Sequence, residues 1–468
     1  MKMKINAGKT HISGVAAVAA LTGAAAYVIF LFWLARRADF DIKRYSLSFI
    51  CVFLFVFAIL ELVPAVESAW NVKKTFVDFS RPVVVYFFIA LWVLFIDSIF
   101  VTWAFSSLNG PGGLTKALEG VWYNTIDANN YAEIATNWYY PVKGSDLFYK
   151  IVFFPLYPII MRAVYLVIRS LPAAGMAVSG IFAYMSGVMI YKLAALPAVF
   201  NGNDGKQADG DKRTLRAVKY AFIFPPAFFL MVPMTESLFL FTTLAFFYFL
   251  LKKKYAVSAA FAFLAALSRS QGIILVIPFI FEFIADARAN GGKLNAGRFI
   301  KRGALVLAAP AGFLIYLGIN YQFFGDPFQF LTYEKTHWGN VTGYFWDTVN
   351  YLKDNFFGYL HSGQTNAALG VAVPNIAAVA AVILIIAIGA KKLRASVTLY
   401  ALAYFVMSFG LSWLLSGPRY ASCLFPLPLV LANITNGRRK TDIILTCLSA
   451  AFYVAYLYMF MTKNFGVV

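Results

Sequence analysis

Charged residues are scarce in this chain. Only 13% of its 468 residues are Asp, Glu, Lys or Arg, whereas 61% are hydrophobic, and this share of charge is about half that of an average soluble domain. The composition excludes an ordinary soluble globular protein. Its formal net charge of +19 comes from 40 basic and 21 acidic residues. Most basic residues lie in short segments between apolar runs, as in cytoplasmic loops of membrane proteins, so we expect no nucleic-acid partner.

Metal ligands and disulfide-forming cysteines are also few. The three cysteines, Cys51, Cys423 and Cys447, lie in apolar runs without a CxxC pair, which excludes a disulfide framework. The three histidines are too scattered for an HExxH zinc site. No Asp-x-Asp occurs in segments 107–172 and 320–371, and Asp326 precedes Pro327 in a turn-like "GDPF". We therefore expect no metal site and no cofactor.

Long apolar runs fill most of the sequence. Each crossing of a hydrocarbon core about 30 Å thick needs about 20 apolar residues, and runs of this length are helices. The pattern predicts an all-α integral membrane protein with about 13 transmembrane helices. The candidate spans are 14–35, 46–65, 83–106, 174–196, 219–233, 237–251, 255–268, 271–285, 303–319, 372–390, 396–415, 420–435 and 442–461.

Basic segments orient these spans. Segments 201–219, 252–254, 286–302, 391–394 and 438–440 carry the Lys and Arg clusters, which places them in the cytoplasm. By parity, 107–172 and 320–371 form two large outer loops. The turns 233–237, 268–271 and 416–420 join them on the outer side. A basic cluster at Arg36, Arg37, Lys43 and Arg44 conflicts with this parity.

Two parts of the first outer loop are predicted to lie at the membrane surface. Pro155 and Pro158 interrupt the apolar region 147–170, which favours an interfacial or re-entrant helix over a crossing. Upstream, "TIDANNYAEIATNWYYP" is polar. As a helix it places Asp127, Tyr131 and Trp138 on one face and Glu133 on another. We expect this helix to lie on the bilayer, with Glu133 in solvent.

Several ionisable residues fall on the predicted outer side. Asp127 is costly beside a membrane unless it has a role or a partner. Arg269 and Arg419 lie at the ends of spans, where an arginine side chain can extend toward water. Glu236 can pair with an arginine or cap a helix. Lys335 and His337 lie in an aromatic-rich loop, a composition also found at membrane interfaces.

Five motifs, in order, resemble the PIG-V family, the second mannosyltransferase of GPI-anchor assembly and its prokaryotic relatives. They are "DANNYAEIATNWY" with "FFPLYP", "MTESLFL", "ALSRSQGIIL", "FFGDPFQFLTYEKTHWG" and "GPRYASCLFPLPLVLA", spread over about residues 107–435. Two positions depart from that family: Ile126 stands where an aromatic is usual, and Trp138 where glycine is common.

This resemblance implies a polytopic GT-C glycosyltransferase that uses a polyprenyl- or dolichyl-phosphate-linked sugar, typically mannose. Asp127 would be the catalytic base. Donor and acceptor binding would involve Tyr131, Glu236, Arg269, Lys335, His337, Arg419 and Tyr420. The acceptor would be a lipid-linked or cell-surface glycan. We expect a plasma-membrane protein of a prokaryote, or an ER protein if the source is eukaryotic.

The predicted organisation has three parts: an extension at 1–82 with two apolar spans, a catalytic membrane module at 83–435 with both outer loops, and a last span with its tail at 436–468. Two alternatives stay open at this point. One is a GT-C enzyme that uses another lipid-linked sugar. The other is a lipid or solute transporter, which ionisable groups deep in several spans would favour; Glu61 and Asp97 are the two mid-span carboxylates.

Overall fold

The computed structural model describes residues 82–106, 127–140, 148–201, 210–289, 302–339, 341, 343–462 and 465–467. The predicted spans 14–35 and 46–65 and the basic cluster at 36–44 lie outside these ranges. The chain divides into two units, Met1–Leu118 and Glu119–Val468. Across the described residues the secondary structure is helical without strands, apart from one isolated bridge between Phe200 and Leu393. The prediction of an all-helical chain is confirmed.

One long helix is described in the first unit, and fifteen helices are labelled here in the second. In chain order they are α1 Pro82–Ser106, α2 Ala128–Asn137, α3 Leu156–Ile168, α4 Leu171–Ala194, α5 Gly210–Ile223, α6 Glu236–Leu251, α7 Tyr255–Ser268, α8 Val276–Ala289, α9 Ala308–Phe324, α10 Gln329–Trp338, α11 Phe345–His361, α12 Val373–Gly389, α13 Ala395–Phe409, α14 Gly417–Ser422, α15 Pro426–Thr435 and α16 Arg439–Thr462. A short α-helix, Thr365–Ala367, and a π-helical segment, Ala368–Ala372, lead into α12. The 3₁₀ segments are Phe148–Val152, Pro197–Val199, Ala227–Leu230, Ser270–Leu275 and Leu305–Leu307.

Five helices are long and apolar enough to cross a membrane. Among the described residues they are Pro82–Phe100, Leu171–Ala194, Arg302–Phe324, Thr365–Gly389 and Arg439–Met461. Shorter apolar helices accompany them: α3, α6, α7, α13 and α15. At about 1.5 Å per residue, even the 16 residues of α6 rise only about 24 Å, less than the hydrocarbon core. The structure therefore shows a helical chain with the character of a membrane protein.

Proline breaks two of the predicted spans. The expected helix at 219–233 ends at Ile223, because Pro225 and Pro226 follow and residues 227–230 form a 3₁₀ turn. The expected helix at 420–435 is divided into α14 and α15, and Pro426 begins the second piece. A proline lacks the backbone N–H that an interior helical position requires. These two spans were wrong as continuous helices.

The region 147–170 folds as the prolines indicate. A 3₁₀ turn precedes α3, whose 13 residues rise about 20 Å. Arg169, at φ 60°, ends α3 in the left-handed conformation, and α4 begins at Leu171 and packs on α3. The length of α3 is compatible with the predicted interfacial or re-entrant placement.

Helix α6 lies at the centre of the second unit. Twelve of its 16 residues are buried, with no polar face, as expected of a helix surrounded by others. It packs on α4 and α7. Phe239, Phe246 and Phe247 are fully enclosed along its length. Because the first residue of α6 is Glu236, this central position holds a carboxylate inside the protein.

Residues in or next to the predicted cytoplasmic segments contact one another. Arg394 pairs with Glu282, and Lys253 and Arg302 both pair with Asp286. Further contacts join segment 201–219 to the others, through the backbone of Asn201 to Lys392 and through Arg216 to Asp442. The predicted outer loop 320–371 contacts the end of the predicted span 396–415: Gly343 donates to the carbonyl of Gly410, and Ser412 to that of Val341. The basic segments thus lie close to one another, and the side of the membrane on which each segment lies stays a prediction.

This grouping predicts which positions a membrane-impermeant thiol reagent can reach. In a chain with its native cysteines replaced, cysteine at exposed Asn129, Thr336 or Ser362 should react in intact cells. Cysteine at exposed Lys253 or Arg439 should react only after permeabilisation. Labelling at 129 only after permeabilisation would contradict an outward-facing site.

Candidate functional site

Asp127 immediately precedes α2 and does not cap it. Its side chain makes no capping hydrogen bond to the helix. The apolar face of α2 is covered by protein, because the Tyr131 ring packs edge-on against Phe153 and Tyr157 at centroid distances of 5.1 and 5.3 Å. The prediction that this face lies on the bilayer is therefore wrong.

The carboxyl end of α2 is tied to α3. Arg162 donates from Nη1 to the carbonyl oxygens of Ala135 and Thr136, both at 2.8 Å. These are orphan carbonyls at a helix end, which a cation stabilises. Trp138 then ends the helix with φ 56°, a conformation that favours glycine and is uncommon for a bulky residue. Helix α2, and with it Asp127, is fixed against α3 at its far end.

The sequence predicts that Glu133 is a solvated surface residue, but the structure shows that its side chain is paired. It accepts a hydrogen bond from the ammonium of Lys150, and the two form an ion pair. The Lys150 side chain is only 6% exposed, whereas Glu133 is 33% exposed. Asn129 also donates to Glu133, at 2.9 Å. A buried ammonium needs a carboxylate partner, and Glu133 of α2 is such a partner for Lys150.

Glu133→Gln is therefore expected to destabilise the protein by about 1–3 kcal/mol, because Lys150 loses its carboxylate in a buried setting. Thermal unfolding of the purified protein, followed by tryptophan fluorescence, measures this. Adding Lys150→Met to the Gln variant should recover part of the loss. An unfolding temperature unchanged in both variants would show that the pair contributes nothing.

Glu236 and Arg269 form a buried ion pair. Arg269 donates from Nη1 to Glu236 Oε1 at 2.6 Å and to Thr235 Oγ1 at 3.2 Å. Their side chains are 2% and 11% exposed. Arg269 points inward because α7 ends at Ser268 and a 3₁₀ turn folds back over that end. At Gly272 an added Cβ would lie 2.3 Å from the backbone of Ala265, so only glycine permits this close approach.

Arg419 joins Asp127 to this pair. It donates from Nη1 to Asp127 Oδ2 at 2.9 Å, and its Nε lies 3.4 Å from Glu236 Oε1. The short helix α14 that carries Arg419 is held by Asn375 of α12, whose Oδ1 accepts from the backbone N–H of Gly417 at 2.7 Å. Asn375 also donates to the carbonyl of Leu415 at 2.8 Å.

These four side chains form a single charged cluster: Asp127, Glu236, Arg269 and Arg419. Its two carboxylates and two guanidiniums are formally neutral together. Asp127 is the most accessible member at 26% exposure, and Glu236 the deepest. The second Glu236 oxygen, Oε2, is buried without a hydrogen-bond partner, and Arg419 Nε lacks hydrogen-bond geometry toward its neighbours. Buried polar atoms of this kind are rare in proteins and call for an explanation.

Two tyrosines border the charged cluster. The Tyr131 hydroxyl lies 3.4 Å from Thr235 Oγ1, which also binds Arg269. Burial, reinforced by the negative charge of Glu236, raises the pKa of the Tyr131 phenol, so this hydroxyl stays protonated. The Tyr420 ring centroid is 5.5 Å from the Arg269 guanidinium and 5.7 Å from that of Arg419, within cation–π distance.

Six of the eight predicted site residues therefore meet. The other two, Lys335 and His337, are exposed on α10, where the His337 ring packs on Tyr333 at a centroid distance of 5.5 Å. Sequence reasoning did not find Thr235 or Asn375. Asn375 carried a signal, because an amide inside the apolar run "VAVPNIAAVAAV" is costly in a membrane unless it has a partner.

No group of three His, Cys, Asp or Glu side chains suited to a metal ion occurs in the described ranges. Cys423, which is buried, directs its thiol toward the Glu236 carbonyl at 3.7 Å. The chemistry available at the cluster is that of two carboxylates, two guanidiniums and neutral hydroxyls.

Comparison with known proteins gives no relative: no family model matches the chain, and neither a curated protein nor a solved structure does. The function is therefore inferred from the geometry of the charged cluster and from the motif resemblance.

Proposed function

We propose that this chain is an integral-membrane inverting glycosyltransferase of the GT-C kind. It would move mannose from a polyprenyl- or dolichyl-phosphate-mannose donor to a lipid-linked or cell-surface glycan. One observation carries the proposal. Asp127, Glu236, Arg269 and Arg419 come from four of the five motifs that resemble the PIG-V family, and they form one cluster although 292 residues separate the first from the last.

The cluster has the groups that inverting transfer requires. An acceptor hydroxyl oxygen attacks C1 of the sugar while the bond from C1 to the phosphate oxygen breaks, and the phosphate leaves with the bonding electrons. A carboxylate must take the hydroxyl proton. Asp127 is the accessible carboxylate, and its Oδ1 has no hydrogen-bond partner among the described residues. Cationic donors must stabilise the departing phosphate, and guanidiniums suit it by shape and charge.

The backbone at Trp138 gives independent support. Glycine is common at this position in the PIG-V family, and Trp138 has φ 56°, in the region where glycine has no steric penalty. The position at which the residue type departs from that family thus still has a backbone conformation that suits glycine. The catalytic module would span 83–435 and act from the outer side of a plasma membrane, or from the lumen of the ER in a eukaryote.

A transfer assay tests the proposal. The purified protein, reconstituted in lipid with radiolabelled polyprenyl-phosphate-mannose, should release label into a glycolipid or glycan fraction of the source membranes. Polyprenyl-phosphate donors with glucose or arabinose serve as comparisons for sugar choice. If protein that thermal unfolding shows to be folded transfers sugar from none of these donors, the proposal of a glycosyltransferase is rejected.

A further inference from the structure

The Asp127 carboxylate occupies the arginine that the proposed donor phosphate needs. Its Oδ2 accepts from Arg419 at 2.9 Å. We propose that a phosphate ligand and Asp127 compete for Arg419, so that phosphate binding releases the carboxylate for proton transfer. This inference rests on the proposed function and adds an order of events: the phosphate-bearing donor binds before Asp127 can accept a proton.

Asp127 is the member of the cluster that can move most easily. It makes no capping hydrogen bond to α2, and among the described residues Arg419 is its single side-chain partner, so one contact holds the side chain. Glu236, in contrast, is 2% exposed and bound to Arg269 at 2.6 Å. An anion that enters from the exposed side meets Asp127 first. Displacing Asp127 therefore costs less than displacing Glu236.

The charges also favour an exchange over simple addition. With both carboxylates in place the cluster is formally neutral, so a phosphate would add an uncompensated negative charge in a poorly hydrated setting. If Asp127 turns to solvent, the phosphate replaces it opposite the two guanidiniums and the balance is kept. A planar guanidinium can donate two parallel hydrogen bonds to two oxygens of one phosphate, whereas Asp127 accepts one hydrogen bond from Arg419 Nη1.

The experiment measures phosphate affinity rather than transfer. Full-length protein in lipid nanodiscs is titrated with citronellyl phosphate, a short water-soluble isoprenyl phosphate, and separately with inorganic phosphate. Tryptophan fluorescence reports binding. Asp127→Asn should bind citronellyl phosphate about ten-fold more tightly than the wild type, because the competing charge is gone. The comparison with inorganic phosphate shows whether the isoprenyl chain contributes.

Two control variants make the result specific. Asp354→Asn removes an equal charge from α11, where the carboxylate is 71% exposed and pairs with Lys353 alone among the described residues, and the phosphate affinity of this variant should equal that of the wild type. In the Asp127→Asn, Arg419→Ala double variant the gain should disappear. A gain in affinity that persists without Arg419 would show a general electrostatic effect and overturn the proposed competition. Equal or weaker binding by Asp127→Asn, or no binding by either protein, would also overturn it.

The transfer assay separates this inference from the proposed function. A wild type that transfers sugar, with an Asp127→Asn variant that gains no phosphate affinity, keeps the function and rejects the competition. A protein that shows the affinity gain but transfers no sugar keeps the competition and rejects the function.

Discussion

Asp127→Asn is expected to reduce the turnover of sugar transfer about a hundred-fold or more. The amide keeps the size of the carboxylate and can still accept a hydrogen bond from Arg419, but it cannot take the proton of the acceptor hydroxyl. Initial rates at saturating donor, with purified protein in lipid, measure the effect. The loss should appear in turnover rather than in donor binding, which the competition for Arg419 predicts to improve.

Asp354→Asn is the matched control, because it makes the same chemical change at an exposed position of α11. Glu133→Gln is a poor control for turnover, since Glu133 is the partner of buried Lys150 and its loss should affect stability. The Asp127 and Asp354 variants should unfold at similar temperatures. Near-normal turnover in the Asp127 variant would end its assignment as the base.

The two arginines should respond differently to removal. Arg419→Ala is expected to lower kcat/KM for the donor about ten- to a hundred-fold, because the phosphate loses a charge-assisted hydrogen bond worth about 1.5–3 kcal/mol. Arg269→Ala should also cost about 3–5 kcal/mol in folding, because Glu236 is buried and Arg269 is its closest partner. Thermal unfolding and donor kinetics on the same preparations separate the two effects.

Second variants decide what each arginine does. Adding Glu236→Gln to Arg269→Ala should recover part of the lost stability, since no buried charge is then left alone. Arg419→Lys should recover donor use only if positive charge, rather than the planar fork, is what the phosphate needs. Stable alanine variants with unchanged donor kinetics would make the cluster a purely structural ion-pair network.

Most residues of the charged cluster could be predicted from the free-energy cost of placing a charge in or beside a membrane. Glu236, Arg269 and Arg419 stood out as ionisable residues at the ends of apolar runs, and Asp127 as a carboxylate in a polar stretch predicted beside the membrane, where each needs a partner or a role. Hydropathy also identified the long helices, whereas the side of the membrane that the distribution of Lys and Arg gives to each loop stays a prediction. These inferences depend only on how apolar or charged each segment is, which can be read directly from the sequence.

Other features depend on tertiary packing. The periodicity of α2 identified an apolar face but not what covers it, and the cover proved to be Phe153 and Tyr157 rather than lipid. The partner of Glu133 lies 17 residues away, and no local pattern in the sequence specifies this pairing. Lys335 and His337 lay in an aromatic loop of the right composition, yet both are exposed on α10. Composition selects candidates; contacts across the fold choose among them.

The sequence separation within the charged cluster has a consequence for biogenesis. Glu236 and Arg269 are 33 residues apart on neighbouring helices, so the hairpin of α6 and α7 can enter the membrane with its charges already neutralised. Asp127 has no such early partner, because Arg419 is translated 292 residues later. At about 5–20 residues per second, the ribosome takes about 15–60 s to cover that distance. The Asp127 carboxylate is therefore without Arg419 for that time, and the charged cluster is complete only after α14 has been synthesised.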